Sequence, residues 1–274
     1  MSVSLTALPA AAPARRRFIP ATLLRRLVVP AGIIALWYAL TAGGYFDPQT
    51  MPSPLAVAQS FWQLIITGQL WPNLLISLQR VVLGLGFGMS IGVILGLTAA
   101  LSRFGEDAID ATVQMARTLP HLALIPLMIL WFGIGETPKV VLIALGSLFP
   151  IYLNLFSAVR GADRKLIEAA STLGLSHVET IWHVILPAAV PGFLVGLRQA
   201  LGASWISLVV AEQINASSGI GYLVMNARDF LRTDIIFDGL LVYALLGLAT
   251  DQAVRALERY LLAWRPSMIA AKGA

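Results

Sequence analysis

The residues best suited to chemistry in this chain are gathered in one short polar stretch, EAASTLGLSHVETIWHVILPAAVPG at 168–192. It holds two carboxylates, Glu168 and Glu179, and two of the chain's three histidines, His177 and His183. Histidine and carboxylate together can ligate zinc, but His177 and His183 are six residues apart and fall on different faces of a helix. The H-E-x-x-H spacing of a metalloprotease is absent, and no metal ligand set is assigned. Ser204 and Ser207 could serve as nucleophiles, yet the sequence offers neither an evident His–Asp partner. With no cysteines, disulfides, thiolate metal sites and cysteine nucleophiles are excluded. No G-x-x-x-x-G-K-[ST] loop occurs, so ATP is not bound in that way. No catalytic residue is assigned, and the chain does not read as an enzyme.

The same polar residues have a structural logic. Asp163 can cap a helix running through Leu166, Glu168, Ala169 and Ala170. Gly174 stands where helices often end in a left-handed residue. Ser176 and Glu179 have the S-x-x-E spacing of a capping box, which restarts a helix by satisfying its first free N–H groups. The spacing predicts a second helix over about 177–186, stopped by Pro187. Leu166, Ile167, Leu173, Leu175, Ile181 and Trp182 make the pair amphipathic. Such a hairpin can lie on a bilayer or dock into a groove on a soluble partner, and Ala169 and Ala170 permit close backbone approach.

The elements that hold this stretch are apolar. The 274 residues are 58% hydrophobic and 12% charged, with a mean hydropathy of +0.79. A soluble domain is roughly 25% charged, so too little charge remains to solvate a globular surface. Several separate runs of about 20 apolar residues predict a polytopic, all-α membrane protein. Six spans are expected, at about 27–46, 77–101, 119–135, 139–158, 191–211 and 239–262. The third contains Pro120 and Pro126, and the second could begin in a re-entrant or interfacial segment. The tail at 1–26 is Ala/Pro-rich and expected to be disordered. Its Arg cluster resembles a secretory signal, but the first run is too long for a signal core and reads as an uncleaved anchor. A C-terminal tail is expected at 266–274.

Lys and Arg set the orientation. With the N-terminus inside, the inner segments hold fourteen of the nineteen Lys and Arg residues, against Lys139, Arg228 and Arg232 outside. Arg80 and Arg198 lie in or near spans. This bias predicts cytoplasmic N- and C-termini and places the polar stretch in the cytoplasm. The net charge of +5 therefore reports topology. No basic stripe interleaved with aromatics suggests nucleic acid as a partner.

Within the stretch, Glu168, Ala169, Ala170, Gly174, Leu186 and Pro187 match the pattern EAA-x3-G-x9-I-x-L-P, with Val184 in place of the usual Ile. The stretch resembles the EAA loop of bacterial binding-protein-dependent ABC importer permeases. MPSP at 51–54, SLQRVVLG at 77–84, LRQALGASWISLVVAE at 197–212, GIG at 219–221 and LERYLLAW at 257–264 are similar to the nitrate/sulfonate/taurine branch, most like an aliphatic sulfonate permease. The resemblance covers roughly 30–265 and implies an ABC permease domain over 27–265, with a coupling loop at 163–187. It implies that the loop docks in a cleft of a cytoplasmic ATPase subunit, which carries the ATP and Mg. No cofactor is expected on this chain itself. It further implies a periplasmic substrate-binding protein, a second permease copy in the bacterial inner membrane and a small oxyanion as substrate. An aliphatic sulfonate comes first, then taurine or nitrate. A secondary transporter is the rival reading, but it calls for internal repeats and intramembrane carboxylates. No clear repeat is seen, and the spans hold few carboxylates.

Three further positions are candidates for the translocation pathway or a gate. Arg198 lies about 10 Å inside the fifth span at helical rise. An arginine at mid-membrane costs roughly 2.5–3.5 kcal/mol on insertion scales, so it either faces an anion pathway or is paired or snorkels to the edge. Arg80 invites the same alternatives near the outer end of span two. Glu212 closes span five on the outer side, as a cap, an ion-pair partner or a gate. Gly84, Gly88, Gly92 and Gly96 form a groove on one face of span two, which suits close helix packing. The outer segment 212–234 reads as a gate, a binding-protein contact or an interfacial loop.

Overall fold

The computed structural model describes residues 21–264 apart from residue 215, with side chains from Val28 onward except at residue 104. Among the described residues all regular structure is helical. The elements are α1 (Ala21–Ala42), α2 (Pro54–Ile66), α3 (Leu70–Leu101), α4 (Glu106–Ala116), α5 (His121–Phe132), α6 (Glu136–Arg160), α7 (Arg164–Thr172), α8 (His177–Gln213), α9 (Ile220–Asp229) and α10 (Thr233–Leu261). The tails expected at 1–26 and 266–274 lie outside the described residues, except that α1 already begins at Ala21.

The chain divides into two units, residues 1–55 and 56–274. The first holds α1 and a short turn, where the Trp37 indole N–H donates to the Pro52 carbonyl at 3.1 Å. In the second, four helices are long and apolar enough to cross a membrane: α3, α6, α8 and α10. α4 and α5 together pass the same test as one broken span, bent by 79°. The described part of α1, Val28–Ala42, is a shorter apolar helix.

Three departures from expectation have local causes. The third span is not a straight helix over 119–135 but one arm of the bent α4–α5 pair. Pro120 has no N–H to continue the helix and pushes Leu119 out of helical geometry. Pro126 is harmless because it lies in the first turn of the helix that follows. The helix after Ser176 does not stop at Pro187 either, and α8 runs unbroken from His177 to Gln213. A π-helical turn at Ile181–Ile185 widens the backbone just ahead of Pro187, where an α-helical turn would collide with the proline ring. α2 is unexpected, because thirteen residues are too few to span a bilayer.

α6 is the centre of the second unit, packed along its length by α3 on one side and α8 on the other. Small residues set both contacts. A Cβ at Gly84 would come within 2.5 Å of the Ile143 Cβ, and one at Gly92 within 2.9 Å of the Leu148 carbonyl. A Cβ at Gly88 would collide with Ser147 and the Ala144 carbonyl. Gly96 is looser, at 3.4 Å from the Tyr152 carbonyl. The four glycines thus present a continuous groove to α6. In lipid, where apolar burial between helices drives little, such close approach is what van der Waals attraction requires. Gly192 and Gly196 of α8 meet α6 in the same way at Ala158 and Asn154.

Candidate functional site

The polar hairpin is built almost wholly from local hydrogen bonds. The Asp163 carboxylate accepts the Lys165 N–H at 2.9 Å and caps α7. At the other end Gly174 adopts φ +82°. The Leu175 N–H reaches back to the Ala170 carbonyl (3.1 Å) and the Gly174 N–H to Ser171 (3.0 Å). These two bonds are a Schellman motif, and the left-handed residue in it favours glycine. Two residues later the capping box is complete. The Ser176 hydroxyl accepts the Glu179 N–H, and the Glu179 carboxylate accepts the Ser176 N–H at 2.8 Å. Glu179 is thereby committed to the cap, and the His183 ring is engaged with the Glu179 carbonyl at 2.9 Å.

One side of the hairpin is anchored. Ile185 and Ala189 are buried with Ala100, Leu155 and Val159, and Ile167 and Ile181 pack against them. Ala170 and Thr180 are also buried. Other apolar side chains of the hairpin are open: Leu166, Leu173, Val178 and Trp182 are 53–79% exposed. Glu168, Ala169, Gly174 and Pro187 are exposed as well, and Leu186 is half-buried. The Glu168 side chain makes no hydrogen bond or ion pair among the described residues. The arrangement is a knuckle closed by its own caps.

A second polar site lies at the far end of α6. Arg80 of α3 is 2% exposed. Its Nε and Nη2 grip both oxygens of Glu136 at 2.5 and 2.7 Å, and its Nη1 meets the Glu212 carboxylate at 2.6 Å and the Ser218 carbonyl at 2.8 Å. Lys139 adds a 2.9 Å bond to Glu136. Glu212 also accepts from the Ser77 hydroxyl (2.7 Å), the Tyr243 hydroxyl (3.2 Å) and the Gly221 N–H (2.8 Å) at the start of α9. Gly219, at φ +112°, passes so close to Arg80 and Glu212 that a Cβ there would strike both. Buried ions need such saturation, since an unpaired one is strongly destabilising. Two cations and two carboxylates leave the cluster neutral.

Arg80 and Glu212, singled out separately from sequence, are thus direct partners. Arg198 is elsewhere, on α8, with Glu258 at 2.6 Å and Asp251 at 3.3 Å on α10. It lines a cavity of about 230 Å³ together with Thr250 and Asp251. Nothing in the spacing pairs Ser207 with a histidine, but the bent third span brings His121 Nε2 to 2.9 Å from its hydroxyl. No carboxylate is hydrogen-bonded to His121 among the described residues, so the pair lacks the third member of a triad.

Sequence reasoning also missed Glu136 and Lys139 as members of the cluster. Their E-x-x-K spacing at a helix start is a visible local pair, but nothing in it points to Arg80. Asp238 was missed too. It is fully buried on α10, held by the Ser60 hydroxyl at 2.6 Å.

A bundle of bilayer-length helices around a glycine-lined central helix, with a capped polar hairpin at one end, defines a polytopic helical membrane protein. Residues 88–262 match the family of binding-protein-dependent transport system inner membrane components, and the chain belongs to that family. It is 49% identical over 239 residues to the "Putative aliphatic sulfonates transport permease protein SsuC" of Escherichia coli (strain K12), covering 87% of this chain and 91% of that one. It is 34% identical to the taurine transport system permease protein TauC of the same organism, over 85% of this chain and 87% of that one. A crystal structure of an amino acid ABC transporter with histidines superposes with a TM-score of 0.59 at 19% identity, covering 73% of this chain and 98% of that one. That likeness concerns the fold.

Proposed function

We propose that this chain is the permease of an ATP-driven importer for aliphatic sulfonates, working as a pair of identical copies in a bacterial inner membrane. The observation that carries the reading is the hairpin at 163–187: a doubly capped element with some apolar residues anchored in the body and others open. The open residues suit the cleft of a separate ATPase subunit, which holds the ATP and Mg, while this chain binds no cofactor. Glu168, Ala169, Ala170, Gly174, Leu186 and Pro187 form the coupling element. The Lys and Arg bias places the hairpin and both termini in the cytoplasm and the Arg80 cluster at the periplasmic end, where a substrate-binding protein delivers the anion.

Closure of the ATPase pair draws the two hairpins together and turns the membrane halves from inward- to outward-facing. Shifting such an equilibrium from 1:99 to 99:1 takes about 5.5 kcal/mol of differential binding. A stiff hairpin transmits that difference, whereas a frayed one would dissipate it. Arg80 and Glu212 serve as the outer gate, because their contacts tie α3, α6, α8 and the segment before α9 together at one point. Arg198 borders the cavity it shares with Thr250 and Asp251 and is a further pathway candidate. The higher identity to the sulfonate relative favours an aliphatic sulfonate, and the taurine relative supports taurine as the second reading.

The test is ATP hydrolysis by the permease in nanodiscs with its ATPase and binding protein. Alkanesulfonates, taurine and nitrate are added singly, and stimulation by an alkanesulfonate is expected. Glu168→Arg should leave insertion and thermal stability intact but uncouple transport by weakening ATPase docking. Unchanged transport in that mutant at matched expression removes the coupling role.

A further inference from the structure

Arg80 has two carboxylate partners of very different standing. Glu212 is sealed in, with 0% of its side chain exposed, whereas the Glu136 side chain is 58% exposed. Glu136 is also the partner taken side-on by the planar fork, through Nε and Nη2. That two-point geometry recognises any planar or tetrahedral oxyanion. Glu136 does not depend on Arg80 for a counter-charge, since Lys139 holds one of its oxygens at 2.9 Å. A carboxylate that can retreat to a second cation is a displaceable occupant of the fork.

The space beside it has a shape. A cavity of about 310 Å³ lies against Gln79, Arg80, Glu136 and Ser218. It adjoins a longer groove of about 560 Å³ between α3 and α6, and the two share Leu83, Glu136 and Val140. The longer groove is lined by Phe87, Ile91, Ala144 and Leu148, so Glu136, with Thr137 next to it, stands at the head of a mostly apolar trough. From Glu136 to Leu148 is twelve residues of helix, about 18 Å, or roughly three-fifths of the hydrocarbon thickness.

We propose that the α3–α6 groove is a binding site for the aliphatic sulfonate itself, its headgroup replacing Glu136 on the Arg80 fork and its alkyl tail lying along Leu83, Phe87, Val140 and Ala144. The inference rests on the importer reading for its choice of ligand. The sulfonate accepts from Arg80 Nε and Nη2, and the Ser218 hydroxyl, 3.3 Å from Nη2, is placed to donate to it. Glu136 keeps its bond to Lys139. The cluster then carries one excess negative charge, which keeps the site weak enough to release its cargo, as a pathway requires. Taurine has no apolar tail and leaves the trough unfilled. The groove thus selects for an anionic head joined to an apolar tail.

Equilibrium dialysis of hexanesulfonate, methanesulfonate and taurine against the permease–ATPase complex in nanodiscs, without binding protein, tests this. Hexanesulfonate should bind at least about tenfold more tightly than methanesulfonate, and up to about a thousandfold if all five extra methylenes leave water, and taurine, which lacks the tail, should bind more weakly than hexanesulfonate. Ala144→Trp should abolish the preference for the longer tail. Leu83→Trp, on the facing wall, makes the same test if the first variant does not fold. Glu136→Gln should raise hexanesulfonate affinity severalfold. Equal binding of the two sulfonates, a tail preference untouched by tryptophan, or no gain in Glu136→Gln overturns the site. So does a co-purified phospholipid that hexanesulfonate fails to displace, which would make the trough a lipid site. Assembly with the ATPase is followed separately by size exclusion. If the complex does not form, the importer reading fails, and dialysis against the permease alone still decides the groove.

Discussion

The hairpin at 163–187 and the cluster around Arg80 are both polar interruptions of an apolar chain, made in opposite ways. Every cap in the hairpin joins residues two to five apart, and the result is exposed. Arg80 reaches partners 56, 132 and 138 residues away, and the result is buried. The hairpin keeps its shape without the helices around it having to be in one arrangement. The cluster exists only while α3, α6, α8 and the start of α9 hold one mutual position. An element that must act on a partner is best made of local bonds, and one that must report the relation of several helices is best made of distant ones.

This contrast is most directly broken at the cluster. Arg80→Met leaves Glu212 buried without its cation, and removing one partner of a buried pair typically costs about 3–5 kcal/mol. We expect a large loss of folded, assembled permease, read as thermal unfolding in detergent. Arg80→Met with Glu212→Gln removes both charges and should recover part of that loss. If the double variant is no better than the single, the ion pair is not what Arg80 contributes.

A middle-sized effect is expected at the α3–α6 contact, on which the cluster depends. Gly88→Leu forces side-chain atoms into Ser147 and the Ala144 carbonyl, and overpacking of this kind costs about 1–3 kcal/mol. Gly86→Leu is the control, because a Cβ there meets nothing within 4 Å. Similar unfolding temperatures for the two variants would show that the groove can open, and that the cluster tolerates movement between its helices.

The same contrast explains what is legible in the sequence. The helical class, the bilayer-length runs and all three hairpin caps follow from periodicity and short spacings, which are local. Pairing of Arg80 with Glu136 and Glu212 is not local, so Arg80 and Glu212 can each be marked as costly in an apolar setting but not joined. Lys139 reads from its position only as an outer charge, although the structure places it 4% exposed. The third span misleads because Pro120 and Pro126 look alike in sequence. One falls in the break before α5 and the other in the first turn of the α-helical part of α5, Ile125–Phe132, and only the first interrupts the chain. At Pro187 a stop is expected, but a proline stops a helix only if the preceding turn stays α-helical. No spacing rule reveals the π turn at Ile181–Ile185, where Ile181 and Ile185 pack on the body.

The smallest effect is expected where the hairpin is most self-sufficient. Ser176→Ala removes the hydroxyl that accepts the Glu179 N–H but leaves the Glu179 carboxylate free to accept the backbone N–H at position 176, so half of the capping box survives. A lost N-cap costs roughly 0.5–2 kcal/mol, and the remaining half places this one near the lower end. Because the exchange is local, global unfolding should barely move. Faster amide hydrogen exchange should be confined to the first turn of α8, at Val178, Glu179 and Thr180. If exchange instead quickens throughout α7 and at Ile185, the hairpin behaves as one cooperative unit with the helix bundle. The separation between a locally built knuckle and a globally built cluster would then be lost. Confinement to that one turn would instead leave the knuckle as an element that can fray at a joint without disturbing the relation of the helices around it.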